Sequence, residues 1–172
     1  YILSSNDFVE DKMSRTLAIE TKKLTKKYDQ FTAVSNLNLK IKTGSVFGLL
    51  GPNGAGKTTI ILMLLGLTDS TSGSCSVFGF DPLTEPLKVK QICGYLQEKV
   101  GLYENMTASQ NLRYIAKLNN IPSNKEKGRI AEALEKVDLL KQSDLHVSKF
   151  SRGMKQRLGI ASVLIKKPRI AF

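Results

Sequence analysis

The pattern of hydrophobic and polar positions divides the chain into a strand-rich part and a helix-rich part. Segments with the apolar spacing or composition of strands lie at 17–23, 36–42, 45–50, 73–82 and 90–96. The first two alternate apolar and polar residues, as half-buried strands do, whereas 45–50 (SVFGLL) is nearly continuous in apolar residues. Such a run is typical of a strand that is buried on both faces. A helix is predicted from about Lys57 to Leu65, after a glycine-rich turn.

Helical spacing dominates the second half of the chain. One helix opens with a capping box at Thr107 and Gln110, and a second opens with the same pattern at Ser123 and Glu126. A third helix is predicted over about 152–165. The first two helices each carry an apolar stripe, formed by Leu112, Ile115 and Leu118 and by Ile130, Leu134 and Val137.

Composition and charge are those of a globular protein with a basic surface. The 172 residues are 41% apolar and 24% charged, which suits one domain with a sizeable core. The net charge of +11 raises nucleic acid and anionic membranes as partners. We predict no nucleic-acid binding, because the basic residues are scattered and no aromatic residues interleave with them as a base-stacking surface requires. Cys75 and Cys93 lack CxxC spacing and are predicted to be buried free thiols.

The two ends of the chain read like those of a segment from a longer protein. We expect 1–16 to be a poorly ordered N-terminal extension, since Met13 resembles a natural start that runs straight into the first strand. We expect 17–172 to be a partial domain, because its last residues, PRIAF, read like the opening of a buried strand. Within it, a helical subdomain is predicted at about 98–158.

The clearest candidate for chemistry is GPNGAGKT, residues 51–58, which matches G-x-x-x-x-G-K-[ST] between a predicted strand and a predicted helix. Its glycines allow successive backbone N–H groups to converge on an anion. Lys57 adds a positive charge for the β- and γ-phosphates of a nucleotide, and the hydroxyl of Thr58 suits Mg²⁺. The loop alone leaves GTPase, kinase and ATPase open. A GTPase is disfavoured, because NKEK at 124–127 lacks the aspartate of the guanine-reading N-K-x-D.

Three further sites are candidates, and each has a purely structural alternative. Tyr28 ends the first predicted strand, where it either contacts a ligand or packs on the core. Gln97 and Glu98 stand at the exit of a strand, where either a ligand-facing loop or a polar turn begins. Ser151 and Gly153 stand at a helix start, which either attracts an anion or is simply a capped helix.

The order and spacing of these motifs resemble the ATP-binding cassette (ABC) ATPases, especially subunits of the drug- and antibiotic-exporter type. The resemblance covers about 17–172, roughly the first two-thirds of that family's domain. FSRGMKQR (150–157) matches the family signature motif, which most often contains SGGQ. The resemblance implies an α/β fold, a P-loop NTPase with a mixed sheet around the Walker A strand plus a helical insert, incomplete at the C-terminus.

The resemblance also implies roles for individual residues. Tyr28 would stack on the adenine of ATP. The catalytic residues would be Lys57, Gln97 and Glu98. Mg²⁺ would be held by Thr58 and Glu98. The nucleotide-binding residues that it implies are Tyr28, Val34, Gly51, Pro52, Asn53, Gly54, Ala55, Gly56, Lys57, Thr58, Thr59, Ser151 and Gly153.

Two motif positions depart from the family pattern. Counting from Gly94, the family's Q-loop position falls on Glu98, with Gln97 one residue earlier, so the register stays open. Met154 replaces the usual glutamine of the signature motif. We expect this replacement to be tolerated, because the serine and glycine of the motif supply the contacts to an anion.

By resemblance, the parent protein is the ATP-hydrolysing subunit of an ABC exporter. Two nucleotide-binding domains would sandwich ATP between them and drive a separate membrane permease from the cytoplasmic face of the membrane. The Walker B aspartate, catalytic glutamate and switch histidine are expected after Phe172, so the 172-residue chain is expected to be inactive alone. The alternatives are a non-transport cassette ATPase of the ribosome-associated type and a non-catalytic ATP-binding fragment.

Overall fold

The computed structural model describes residues 17–98 and 100–172, so the predicted extension 1–16 lies outside the described residues. The chain divides into two compact units, the first ending at Gln91 and the second beginning at Ile92. In the described part of the chain, no helix has the length and apolar character needed to cross a membrane.

The first unit is built on an antiparallel sheet with the strand order β2-β1-β3. Its strands are β1 (Leu17–Tyr28), β2 (Phe31–Lys42) and β3 (Ser72–Val77). The hydrophobic pattern predicted all three. It underestimated the length of the first two strands, because β1 and β2 continue into a tight hairpin in which Tyr28 pairs with Phe31.

Two buried threonines hold the irregular register of this hairpin. The hydroxyl of Thr21 donates to the carbonyl of Leu37 and accepts from the amide of Leu39, each at 2.9 Å. The hydroxyl of Thr25 accepts from the amide of Asn36 at 3.0 Å. These hydroxyls pair with backbone groups where the ladder between the strands shifts register, so the buried polar atoms are satisfied.

Helix α1 spans Lys57–Leu64, in agreement with the prediction, and buries Ile60 and Met63. Helix α2 (Pro86–Ile92) was not predicted. It includes the first three residues of KQICGYL, so the strand predicted at 90–96 is wrong there, and only β4 (Cys93–Gly94) is a strand. The physical reason is Pro86, whose fixed φ and missing N–H suit the first position of a helix.

The prediction of a buried strand at 45–50 is also wrong. Residues 45–50 have no strand structure, and Val46 and Leu50 are 103% and 93% exposed. A strand buried on both faces needs neighbouring strands and covering layers. Among the described residues, no strand pairs with 45–50.

The second unit contains α3 (Ala108–Leu118), α4 (Ser123–Lys136) and α5 (Arg152–Leu164). Its core includes the fully buried side chains of Leu112, Leu134, Leu139, Val147, Leu158 and Ile165. Both predicted apolar stripes contribute to this core, except that Leu118 is exposed. A short parallel pair joins β4 to β5 (Ile170–Ala171), within the segment that was predicted to open a strand.

One of the two predicted capping boxes forms. Thr107 accepts from the amide of Gln110, and the side chain of Gln110 accepts from the amide of Thr107. The box predicted at Ser123 and Glu126 is wrong, because α4 begins one residue earlier, after Pro122, without a side-chain cap. Glu126 instead forms an ion pair at 2.8 Å with Arg113 of α3.

Both cysteines are free, as predicted. Cys93 is buried, and burial raises the pKa of its thiol to about 11. Cys75 is only half-buried, and the pKa of its thiol is also raised to about 11, first by burial and then by the charge of Asp81. Both thiols are therefore protonated at neutral pH.

Candidate functional site

The glycine-rich loop at 51–58 ends in a backbone conformation that only glycine adopts easily. Gly56 is the N-cap of α1 and has φ 79°, in the left-handed region. A Cβ at this position would lie 2.3 Å from the carbonyl oxygen of Ala33, a backbone atom that cannot swing aside. Any other residue at 56 would therefore displace either the loop or strand β2.

The start of α1 is suited to an anion. No side chain caps this helix, and its first turn contains no acidic residue. The first amides of an α-helix have no partner within the helix, and its dipole favours negative charge there. The donor set at this point therefore fits a phosphate group.

The ammonium group of Lys57 lies back over this loop. It donates to the carbonyl oxygens of Gly51 and Pro52, at 2.7 and 2.6 Å. Both partners are neutral, so the positive charge is not neutralised by them. The neighbouring side chain of Thr58 is exposed. A charged donor and a hydroxyl thus stand next to the amides that open α1.

Tyr28 lies at the end of β1 and is 45% exposed, so the alternative in which it packs on the core is wrong. The ammonium group of Lys26 lies 4.8 Å from the centre of its ring. Val34, on the paired strand β2, is buried instead, and its Cγ2 lies 3.2 Å from the Cβ that Gly56 lacks. Tyr28 is thus available to a ligand, whereas Val34 packs behind the glycine turn. Any contact of either with a nucleotide stays a prediction.

Gln97 and Glu98 lie in the second unit and are both exposed. The strand pairing continues for one more hydrogen bond before them, from the amide of Leu96 to the carbonyl of Phe172 at 2.9 Å. They therefore follow a strand, as predicted. Their assignment to water or Mg²⁺, and the choice between the two registers, stay predictions.

Ser151 is the N-cap of α5, and its hydroxyl accepts a hydrogen bond from the amide of Met154 at 3.2 Å. Gly153 is exposed, and the nearest atom to a Cβ placed there would be the Ser151 hydroxyl oxygen at 4.0 Å. The capped-helix interpretation is thus correct for Ser151. Around Gly153, by contrast, there is open space that a second molecule can enter.

The start of α5 is anchored to the loop before α3. Lys155 forms an ion pair with Glu104, and the backbone amide of Ser148 donates to the carbonyl of Glu104 at 3.0 Å. The buried side chain of Asn111 fixes the same loop by bonding both the amide and the carbonyl of Tyr103. The position of the Ser151 turn therefore depends on the loop that follows Gln97 and Glu98 in sequence.

Two of these supporting residues were missed by the sequence analysis. Lys26 lies two positions before Tyr28 on a strand, and this spacing places two side chains on one face. Asn111 lies four positions after the Thr107 cap, inside a helix that otherwise shows an apolar stripe. A polar residue on the buried face of a helix is the signal that could have found it.

This chain is similar to known proteins in both sequence and structure. Residues 34–172 match the family model described as ABC transporter. The bacitracin transport ATP-binding protein BcrA of Bacillus licheniformis is 43% identical over 152 residues, which are 88% of this chain and 49% of BcrA. The probable multidrug ABC transporter ATP-binding protein YbhF of Escherichia coli is 38% identical over 90% of this chain and 27% of its own length. This chain thus spans about half, or less, of the curated relatives that it matches.

A solved structure, titled as the ATP binding subunit of an ABC transporter, superposes with a TM-score of 0.78 at 26% identity. The match covers 90% of this chain and 64% of that one. A second solved structure, cbiO1 from Clostridium perfringens, has a TM-score of 0.82 at 23% identity and supports the fold alone. The predicted α/β fold class and the predicted family are confirmed. This chain belongs to the ABC transporter family.

Proposed function

We propose that this chain is the nucleotide-binding part of an ATP-hydrolysing subunit of an ABC-type exporter. The observation that carries the proposal is the start of α1, where Gly56 opens the helix without a cap and Lys57 adds an ammonium group. A helix start of this kind binds the phosphates of a nucleotide through backbone amides and one mobile positive charge.

The named relatives favour export over import. Two of them are named for bacitracin transport and for linearmycin resistance, with 43% and 37% identity. The Fe(3+) import ATP-binding proteins FbpC of two other bacteria are 34% and 33% identical. The sequence is thus more similar to the bacitracin transport and linearmycin resistance proteins than to these Fe(3+) import proteins.

In this proposal the start of α1 contacts the phosphates of ATP, and Tyr28 contacts its base. The amides at the start of α1 and the ammonium group of Lys57 hold the β- and γ-phosphates. The ammonium group of Lys57 would exchange its hydrogen bonds with the carbonyls of Gly51 and Pro52 for bonds to the phosphates. The exposed ring of Tyr28 stacks on the adenine, and Val34 supports the loop from behind.

Mg²⁺ fits the exposed hydroxyl of Thr58, an oxygen donor beside the phosphate site. Bound there, Mg²⁺ would supply positive charge that offsets the negative charge developing on the phosphates. Glu98, or Gln97 in the other register, is proposed to face the metal and the attacking water.

The second unit is proposed to act across a dimer. Ser151 and Gly153 would face the ATP held by the phosphate loop of a second nucleotide-binding domain. Hydrolysis would separate the two domains and move a permease, with the whole assembly on the inner face of the cell membrane. The open space at Gly153 supports this role, because a partner's phosphate needs access to the start of α5.

The proposal is tested by Lys57→Ala in the whole protein, with Lys27→Ala as a control that removes the same charge from an exposed position of β1. Loss of the ammonium group should weaken Mg-ATP binding at least tenfold, about 1.4 kcal/mol, while the control binds normally. Isothermal titration calorimetry measures both affinities. Unchanged affinity in Lys57→Ala would show that 51–58 is not a phosphate site.

A further inference from the structure

Lys26 is held at two points beside the exposed ring of Tyr28. Its ammonium group lies over the ring, 4.8 Å from the centre, and donates a hydrogen bond of 2.8 Å to the carbonyl of Asp69. Asp69 belongs to the loop that joins α1 to β3. One side chain therefore links the candidate base site to the segment that follows the phosphate-binding helix.

This link is separate from the bonds that hold the same loop in place. Thr71 donates its amide to the carbonyl of Thr25 at 2.8 Å, and its hydroxyl accepts from the amide of Lys27 at 2.9 Å. These bonds use the backbone of β1 and not the side chain of Lys26. The loop is thus fixed without the Lys26 ammonium group, whose contacts are with the Tyr28 ring and one carbonyl.

An exposed tyrosine at the end of a hairpin is otherwise free to change its rotamer. A cation on one face of an aromatic ring attracts that face, and here the cation is itself anchored to a carbonyl. The ring is therefore held in one orientation, with Lys26 on one face. Only the opposite face can receive a flat ligand.

We infer that Lys26 is a positioning residue for the nucleotide base: it holds the Tyr28 ring so that the ring's opposite face can stack on the purine. Holding the ring before binding removes part of the ordering cost of the complex. The inference rests on the proposed function, because it takes Tyr28 to be the base-stacking residue. It predicts that Lys26 affects the base and leaves the phosphates unaffected.

The test compares Lys26→Met with Lys27→Met in the whole protein, since both remove one positive charge from adjacent positions of β1. The ligands are Mg-ATP and inorganic tripolyphosphate, which has the charge of the phosphate chain and no base. Lys26→Met should weaken ATP binding about threefold and leave tripolyphosphate binding unchanged. Lys26→Arg should restore ATP affinity, because a guanidinium group also binds an aromatic face. Lys27→Met should bind both ligands normally.

A double-mutant cycle shows whether Lys26 acts through Tyr28. If it does, Lys26→Met combined with Tyr28→Ala should bind ATP no more weakly than Tyr28→Ala alone. Additive losses would overturn the inference, and so would equal losses for ATP and tripolyphosphate, which would indicate a general charge effect. Normal ATP binding by Lys26→Met would also overturn it. The proposed function fails separately, if Lys57→Ala retains its affinity for tripolyphosphate and ATP.

Discussion

Two helices of this molecule begin at candidate phosphate sites, and they begin differently. Helix α1 follows Gly56, whose left-handed backbone leaves the helix without a side-chain cap. Helix α5 follows Ser151, whose hydroxyl accepts a hydrogen bond from the amide of Met154. The first helix start leaves its amides to a ligand, whereas the second satisfies one amide within its own chain.

The difference indicates which of the two sites binds a nucleotide by itself. At α1, the amides and the Lys57 ammonium group make one concentrated site for negative charge. At α5, the capped turn is stable without a ligand, and its positive end is open to the surroundings at Gly153. We therefore expect the α1 site to be measurable in a monomer and the α5 site to matter only when a second molecule presents a phosphate.

The largest effect is expected from Gly56→Ala. The new methyl group would meet the Ala33 carbonyl in a left-handed backbone position, so we expect the free energy of unfolding to fall by about 2–5 kcal/mol. Gly54→Ala is the matched control: its φ is 83°, but nothing lies within 4 Å of the added atom, and about 1 kcal/mol is expected. Urea unfolding of both variants measures the difference. Equal losses would mean that the contact with Ala33 does not shape the loop.

Gly153→Asp should have an intermediate effect, on association and not on stability. The added side chain has open space, so the variant should fold and bind ATP as a monomer. Its carboxylate would face a partner's γ-phosphate in a poorly hydrated interface, and ATP-driven dimerisation should fall at least tenfold, about 1.4 kcal/mol.

Gly153→Asn, which has the same shape without the charge, is the control for that experiment, and sedimentation in the presence of ATP is the measurement. Normal dimerisation of Gly153→Asp would remove the difference drawn between α1 and α5. Equal impairment in both variants would assign the loss to size instead of charge.

The contrast between the two helix starts also shows what the sequence could predict. The Gly56 turn and the Thr107 cap depend on a few neighbouring residues, and the sequence located both. Glu126 was assigned to a local cap, but an arginine on the neighbouring helix, thirteen positions away in the chain, pairs with it instead. The prediction of a buried strand at 45–50 was wrong for a similar reason, because an apolar pattern does not show whether neighbouring strands lie beside the segment.

The candidate site shows the same contrast between local sequence signals and contacts that are distant in sequence. Tyr28 and the phosphate loop were singled out as candidates from the sequence, whereas the interaction of Lys26 with Asp69 joins positions that are far apart in sequence. Its partner there is a backbone carbonyl, which carries no residue-specific signal. Sequence patterns therefore point to candidate nucleotide-binding residues more readily than to the residues that hold them in place.

The smallest effect, and the sharpest separation of the two roles of α5, is expected at Ser151. Ser151→Ala removes the hydroxyl that accepts from Met154, so the free energy of unfolding should fall by about 1 kcal/mol. Aspartate is as good an N-cap as serine, so Ser151→Asp should keep that stability. Its negative charge would nevertheless oppose a partner's phosphate, so ATP-driven dimerisation should fall in Ser151→Asp and not in Ser151→Ala. Thermal unfolding and sedimentation with ATP measure the two effects separately. If Ser151→Asp dimerises like the parent protein, the start of α5 is a structural cap only, and α1 is left as the phosphate site of this chain.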